Sequence, residues 1–209
     1  MPSVAFDQLV TAARSGSQLI SFPTDTVPAL AVRPDRSELI FAAKQRSQTK
    51  PLILMAADAE DLWPYVQGSD AEQAIWQQVA AQHWPGALTL VLPASEQLPP
   101  QLNPTDPTTI GIRVPNHAIA RRILRQTGPL ATTSVNRSGE PPLLTIPEIN
   151  AQFPEVLTLT EEALAELEQA TELASTAPAT SGQPSTVAKW TGNGWEILRQ
   201  GEVRLQQDG

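Results

Sequence analysis

Lys44-Gln45-Arg46-Ser47-Gln48-Thr49-Lys50-Pro51-Leu52-Ile53-Leu54-Met55 carries two messages in one short run. The first half sets three cations within seven residues. The second half, Pro51 to Met55, is too short and too apolar for a surface helix and suits a central strand. Upstream, Ser37 is a candidate cap for a helix from about Glu38 to near Arg46. A helix that passes through a short polar link into a buried strand is the repeating unit of an α/β fold. The cations stand at the junction, where such folds open toward ligands.

The same alternation continues in both directions. Toward the N-terminus, Val4, Ala5, Leu9, Val10 and Ala13 have helical spacing, with Ser3 as a possible cap. Leu19 to Phe22 reads as a buried strand stopped by Pro23, and Val27 to Val32 as a second apolar run interrupted by Pro28. Toward the C-terminus, Asp70 begins a helix through Val79. Trp84-Pro85-Gly86 turns the chain into a strand over Leu88 to Leu92. Residues 93 to 107 hold five of the twenty prolines and predict a long irregular loop. Ile110 to Val114 reads as a strand, and Asn116 caps a helix through Leu124. Pro129 to Thr133 is a further strand running into the polar turn Ser134 to Gly139. An acidic helix follows over Glu161 to Leu173, then a Ser-, Thr-, Ala- and Pro-rich loop over Ser175 to Pro184. Thr186 to Trp190 and Trp195 to Leu198 form a hairpin across Thr191-Gly192-Asn193-Gly194. The expectation is one α/β domain over residues 1–209 with a twisted mixed sheet and flanking helices.

Composition narrows the chemistry. The 209 residues include 41% hydrophobic side chains, enough for a sizeable core. A formal charge of -8 and a pI near 4.7 favour solubility and argue against a general nucleic-acid or membrane surface. Against that negative field, the cluster of Lys44, Arg46 and Lys50 needs a reason, and a small polyanion supplies one. No cysteine is present, which excludes thiol catalysis and thiolate metal sites. With His83 and His117 the only histidines, a histidine-built zinc site is not expected. His83 reads as a capping or packing residue, and His117 as an exposed first-turn residue. The five tryptophans read as core and loop packing. There is no membrane-length apolar run and no basic, apolar leader. A cytoplasmic location is expected.

Each polar stretch has two readings. Lys44, Arg46 and Lys50 converge on a phosphate, or they solvate a helix C-terminus. Pro23-Thr24-Asp25-Thr26 binds the polar ends of a small ligand, or it is a turn bonded to itself. Ser134 to Gly139 offers hydroxyls and backbone N–H groups to an anion, or it is a plain turn. It is no Walker loop, and the G-x-G-x-x-G pattern is absent as well. Arg113, on an apolar strand, must meet a carboxylate or a bound anion. Arg199 ends the last strand, and Ser185 opens the one before it. No Ser-His-Asp triad or paired-carboxylate case can be made.

Taken in order, the stretches are more specific than any one of them. Pro23-Thr24-Asp25-Thr26-Val27, Lys44-x-Arg46 with Lys50-Pro51-Leu52, and Trp84-Pro85-Gly86-x-x-Thr89-x-x-Leu92 come first. Ile112-Arg113-Val114-Pro115, Thr133-Ser134-x-Asn136-x-Ser138-Gly139, Pro184-Ser185-Thr186-Val187 and Leu198-Arg199-x-Gly201 follow. From about residue 19 to 201 this order resembles the YrdC-type family of L-threonylcarbamoyladenylate synthases. The resemblance implies a concave sheet with a deep cationic cavity. It implies synthesis of threonylcarbamoyl-AMP and pyrophosphate from L-threonine, bicarbonate and ATP, with Mg2+ accompanying the nucleotide. Downstream proteins would transfer the threonylcarbamoyl group to adenosine 37 of tRNA, and strong direct nucleic-acid binding is not expected.

Carried over by position, Lys44, Arg46 and Lys50 would face the ATP phosphates, with Lys44 and Arg46 in catalytic roles. Thr109, Asn136 and Arg199 would be further nucleotide contacts. Thr26, Arg113, Ser134 and Ser185 would hold threonine. Two positions depart from the family pattern: Pro28-Ala29 stands where Tyr-Gly is usual, and Met55 where many members have histidine. Both fall on the threonine side. A divergent YciO-like module that holds nucleotide or RNA without this activity is the alternative. A carbamoyl-adenylating domain of the hydrogenase-maturation kind is a third reading, without the cysteine-rich segments that usually accompany it.

Overall fold

The computed structural model describes residues 3–45, 50–172 and 180–205. Its centre is an eight-stranded mixed sheet in the order β10-β9-β5-β6-β4-β7-β3-β2. The strands are β2 (Ile20–Phe22), β3 (Ala29–Val32), β4 (Ile53–Met55), β5 (Leu88–Pro93), β6 (Thr109–Arg113), β7 (Leu130–Ser134), β9 (Thr186–Trp190) and β10 (Trp195–Arg199). The pairs β4–β6 and β5–β9 are parallel, and the other neighbours run antiparallel. A two-stranded parallel ribbon, β1 (Ser3–Val4) with β8 (Thr158–Leu159), lies beside it.

Strand side chains alternate between faces, and here the two faces have different fates. Leu30, Val32, Leu54, Leu88, Leu90, Leu92, Ile110, Ile112 and Ala188 point to one side. There they pack with α2 (Glu38–Ala43), α3 (Asp70–His83) and α5 (Ile146–Gln152) through Ile40, Phe41, Trp76, Ala80 and Ile149. Ala29, Ala31, Met55 and Leu130 face the other side. They meet α1 (Phe6–Ser15), α4 (Ala118–Thr127) and α6 (Glu161–Glu172) through Leu9, Ala13, Ile119, Ile123, Ala163 and Leu167. These three helices cover one part of that second face. The part over β4, β5, β6, β7 and β9 forms the floor of a cavity.

The tryptophans pack as expected. Trp76 meets Trp190 edge-on, Trp190 meets Trp195 likewise, and Trp63 stacks on Trp84. Several boundaries differ from the sequence reading. Ser3 is a strand residue bonded to the Thr158 hydroxyl at 3.0 Å, and the first helix starts at Phe6. Ser37 precedes α2 but is itself helical, because the chain enters from a 3-10 turn over Pro34–Arg36. Its buried hydroxyl therefore caps nothing and has no hydrogen-bond partner. Helix α3 runs on to His83, and His117 rather than Asn116 occupies the cap position of α4. His117 is half-buried, not exposed. The long loop over 93 to 107 contains a 3-10 turn, Pro100–Leu102. Helix α2 ends at Ala43, short of the expected Arg46; Arg46, Leu173 and the first half of the expected loop, residues 175–179, lie outside the described residues.

Candidate active site

A cavity of about 540 Å3 occupies the open part of the sheet. Its floor is built in cross-strand rows. Lys189, Val91, Gly111, Ile53 and Thr132 are register neighbours from β9 to β7, and all of them line it. Gly111 sits mid-row: a Cβ there would lie 3.3 Å from Thr89 Cγ2 and 3.5 Å from Ile53 Cγ1. Its bare backbone lets a ligand settle against the sheet. Thr89, Thr109, Arg113, Ser134, Ser185 and Arg199 add polar groups, and Lys50 stands at the exposed edge. Among the described residues, four cations, Lys50, Arg113, Lys189 and Arg199, and one carboxylate, Asp106, line the space. On a chain of net charge -8 this is a local positive well.

Arg113 is held on three sides. Its Nη2 donates to Asp25 Oδ1 at 2.6 Å, its Nη1 to Thr26 Oγ1 at 2.8 Å, and its Nε to the Gly86 carbonyl at 3.0 Å. Arg113 and Asp25 are both almost fully buried, with side-chain exposures of 4% and 5%. Burial pulls the guanidinium down from its ordinary range, and Asp25 opposes the shift. It remains a cation, as arginine does in proteins. Of the two partners left open for this strand arginine, the structural carboxylate is present, and the residue also lines the cavity.

The motif glycines and threonines act as scaffolding. A Cβ on Gly86 would meet the His83 carbonyl at 2.3 Å, so the Trp84-Pro85-Gly86 turn brings the Gly86 carbonyl to Arg113 only with glycine there. Gly201 is pressed against residues 184–186, where a Cβ would lie 2.5 Å from the Pro184 carbonyl. Thr186 Oγ1 accepts from the Gly201 N–H at 2.9 Å. This closeness brings Arg199 onto Ser185. Its Nε donates to the Ser185 carbonyl at 3.0 Å and its Nη2 to Ser185 Oγ at 3.2 Å. Partial burial and the charge of Arg113 both pull the Arg199 guanidinium down from its ordinary range. The Thr24-Asp25-Thr26 loop is strapped from outside. Thr180 Oγ1, the Ser181 N–H and the Gly182 N–H donate in turn to the carbonyls of Thr24, Asp25 and Thr26, at 2.9, 2.9 and 2.8 Å.

Of the residues singled out in the sequence, Thr26, Lys50, Thr109, Arg113, Ser134, Ser185 and Arg199 line this one cavity. Lys44 and Asn136 stand one layer behind it. Lys44 Nζ donates to the Ser134 carbonyl and, at 3.0 Å, to Asn136 Oδ1, which also accepts from Ser134 Oγ at 2.6 Å. Arg46 lies outside the described residues. Pro28 and Met55 are both on the wall. Sequence reasoning missed Asp25 as the holder of Arg113, because the pair is separated by 88 positions. It also missed Asp106, Asn103 and Lys189. Asp106 accepts from the hydroxyls of Thr108 and Thr109, and the first of these bonds does most to keep its carboxyl below the usual range. Asn103 Nδ2 donates to Thr109 Oγ1 at 3.1 Å. Alternation along β9 was the available signal for Lys189.

Comparison with known proteins identifies relatives of this chain. The model of the Sua5_yciO_yrdC family, described as "Telomere recombination", matches residues 12–201. The threonylcarbamoyl-AMP synthase of Chromohalobacter salexigens is 36% identical over 159 residues, covering 74% of this chain and 83% of that protein. Sua5 of P. abyssi superposes with a TM-score of 0.78 at 27% identity over 97% of this chain. A second structure of it, complexed with L-threonine, gives 0.73 at 28% identity over 94%. This chain spans 59% and 54% of those two longer chains. E. coli YciO shares the fold, with a TM-score of 0.73 at 23% identity.

Proposed function

The chain belongs to the Sua5/YciO/YrdC family, and we propose that it is a threonylcarbamoyl-AMP synthase acting as a nucleotidyltransferase. Its substrates are L-threonine, bicarbonate and ATP, and its products are threonylcarbamoyl-AMP, pyrophosphate and water. The observation that carries this reading is the convergence of Thr26, Lys50, Arg113, Ser134, Ser185 and Arg199 around one positively charged cavity on a family member.

The threonine end is assigned to Arg113, Thr26, Ser134 and Ser185. The Arg113 fork is already aimed by Asp25 and Gly86, and its remaining N–H edge pairs with the amino acid carboxylate. The threonine amine attacks bicarbonate, breaking a C–O bond and releasing water, or attacks CO2, opening one C=O π bond and losing a proton to solvent; either way the C–N bond of a carbamate forms. A carbamate oxygen then attacks the α-phosphorus, and the bond to the bridging oxygen of pyrophosphate breaks. Two anions meet in that step, so cations already in place carry most of the catalysis. No side-chain nucleophile is needed, and positioning supplies the rest.

Lys50, Thr109, Asn136 and Arg199 are assigned to the nucleotide, with Lys44 and Arg46 on its phosphates. Magnesium fits as a substrate-borne ion held by phosphate oxygens and water, with Asp106 as the carboxylate on the wall. Among the described residues no three acidic or histidine side chains are grouped to hold a metal by themselves. When bound, the ion neutralises the leaving pyrophosphate. The product passes to proteins that transfer the threonylcarbamoyl group to tRNA in the cytoplasm.

The test is pyrophosphate release and AMP-linked product with ATP, bicarbonate and each amino acid in turn. Release that requires threonine and bicarbonate together is expected. ATP binding with no threonine-dependent turnover would favour a YciO-like binding module instead.

A further inference from the structure

We propose that Lys189 is an additional nucleotide-contacting residue, gripping the phosphate chain across the cavity floor from the side opposite Lys50. The inference rests on the nucleotide-binding reading above for the identity of the ligand, and on the following geometry for the contact.

Strand β9 alternates cleanly. Thr186, Ala188 and Trp190 are buried, whereas Val187 and Lys189 are half-buried and line the cavity. In the central floor row Lys189 pairs with Val91, and Val91 with Gly111. Lys189 therefore stands two strands, about 10 Å, to one side of the bare glycine backbone. Ile53 adjoins Gly111 on the other side, and Lys50 enters three residues before Ile53. A chain of phosphates resting over Gly111 lies between two ammonium groups.

The two lining arginines are already engaged by protein groups. Arg113 donates to Asp25, Thr26 and Gly86, and Arg199 donates twice to Ser185. Lys189 has two carboxylates nearby, Asp106 across the wall and Glu196 as its register partner on β10. Among the described residues neither forms an ion pair with it. The hydroxyls of Thr108 and Thr109 already engage Asp106. Lys189 can thus bind phosphate without giving up an ion pair among the described residues. A lysine acts there as a mobile point charge, suited to a chain that must later leave as pyrophosphate.

Calorimetric titration of ATP, pyrophosphate and AMP into wild type, Lys189→Ala and Lys189→Arg, at one fixed ionic strength, tests this. Lys189→Ala is expected to raise the Kd of ATP and pyrophosphate about tenfold or more. AMP should weaken less, and Lys189→Arg should recover most of the loss. Threonine affinity should stay within about twofold, since the threonine groups lie around Arg113. Unchanged ATP and pyrophosphate binding in Lys189→Ala overturns the inference. So does an equal weakening of all ligands together with a lowered Tm, which marks a structural role. Phosphate binding that depends on Lys189 in a protein lacking threonine-dependent turnover leaves the inference standing and removes the synthase reading. Turnover with phosphate binding indifferent to Lys189 does the reverse.

Discussion

Asp25→Asn isolates the device that aims Arg113. The substitution keeps the size and one oxygen acceptor of the side chain but removes its charge. The Asp25 carboxylate lies 2.6 Å from Arg113 Nη2, with both groups about 95% buried, so solvent screens little of their attraction. At about 4 Å between charge centres and an effective dielectric near 20, the gross interaction is about 4 kcal/mol. Removing one partner of such a pair typically costs about 3–5 kcal/mol, because a buried charge is left without its counter-ion. The retained amide oxygen trims this to about 3 kcal/mol. For a domain of this size that corresponds to a fall in Tm of roughly 6–12 °C. Urea denaturation of wild type, Asp25→Asn, Arg113→Met and the double variant gives the coupling directly. The double variant should be less destabilised than the sum of the singles by at least about 1.5 kcal/mol. Threonine should also protect Asp25→Asn at least as well as wild type, since its carboxylate can replace the missing charge. A coupling below about 0.5 kcal/mol would refute the claim that Asp25 holds the arginine in place.

Three further outcomes follow from the geometry. Gly111→Val fills the centre of the floor, so ATP binding measured by calorimetry should weaken at least tenfold while far-UV circular dichroism stays native; unchanged affinity would show that the ligand does not rest on β6. Gly201→Ala drives a methyl to within 2.5 Å of the Pro184 carbonyl and 2.6 Å of the Thr186 nitrogen. It should lower both Tm and turnover by shifting Ser185 and Arg199 together, and a variant with full turnover would show that Arg199 needs no such placement. His117 is the pH-dependent element. Its burial lowers its pKa, with the charge of Asp25 opposing the shift, and its buried Nδ1 has no hydrogen-bond partner. The unfolded state therefore binds the proton first. Stability should be complete above the unfolded value of about 6.5 and fall as pH drops through that value toward the lower folded one. Denaturation midpoints between pH 5 and 8 should show this slope in wild type and a flatter one in His117→Asn.

Much of the sheet was legible in the sequence, because its strands are short apolar runs bounded by proline, glycine or polar turns. Leu88 to Leu92, Ile110 to Val114 and the hairpin at Gly192 are examples. The two-residue ribbon strands β1 and β8 carry too little pattern to be read. Helix α5 was missed although Thr145 and Glu148 form a reciprocal cap, the Thr145 hydroxyl accepting from the Glu148 N–H at 3.4 Å and Glu148 Oε2 from the Thr145 N–H at 3.0 Å. That signal was present and was overlooked. The cavity residues that carry recognisable motifs were found. Those that act through distant partners were not, since nothing local ties Asp25 to Arg113 or Thr180 to Thr24. Lys44 shows a different limit: its type and place point to the anion site, but not to the bonds its ammonium makes with the Ser134 carbonyl and Asn136 Oδ1. Spacing gives the neighbourhood of a side chain but not the direction of its last few bonds.

Isotope transfer tests the central claim most directly. Incubating the purified protein with ATP, threonine and 13C-bicarbonate, and following the label by 13C NMR and mass spectrometry, asks whether one cavity joins all three substrates. The account predicts one labelled carbonyl carbon in a product that contains both threonine and AMP, formed in step with pyrophosphate. Pyrophosphate release that leaves the label in bicarbonate, or that proceeds equally without threonine, would contradict it.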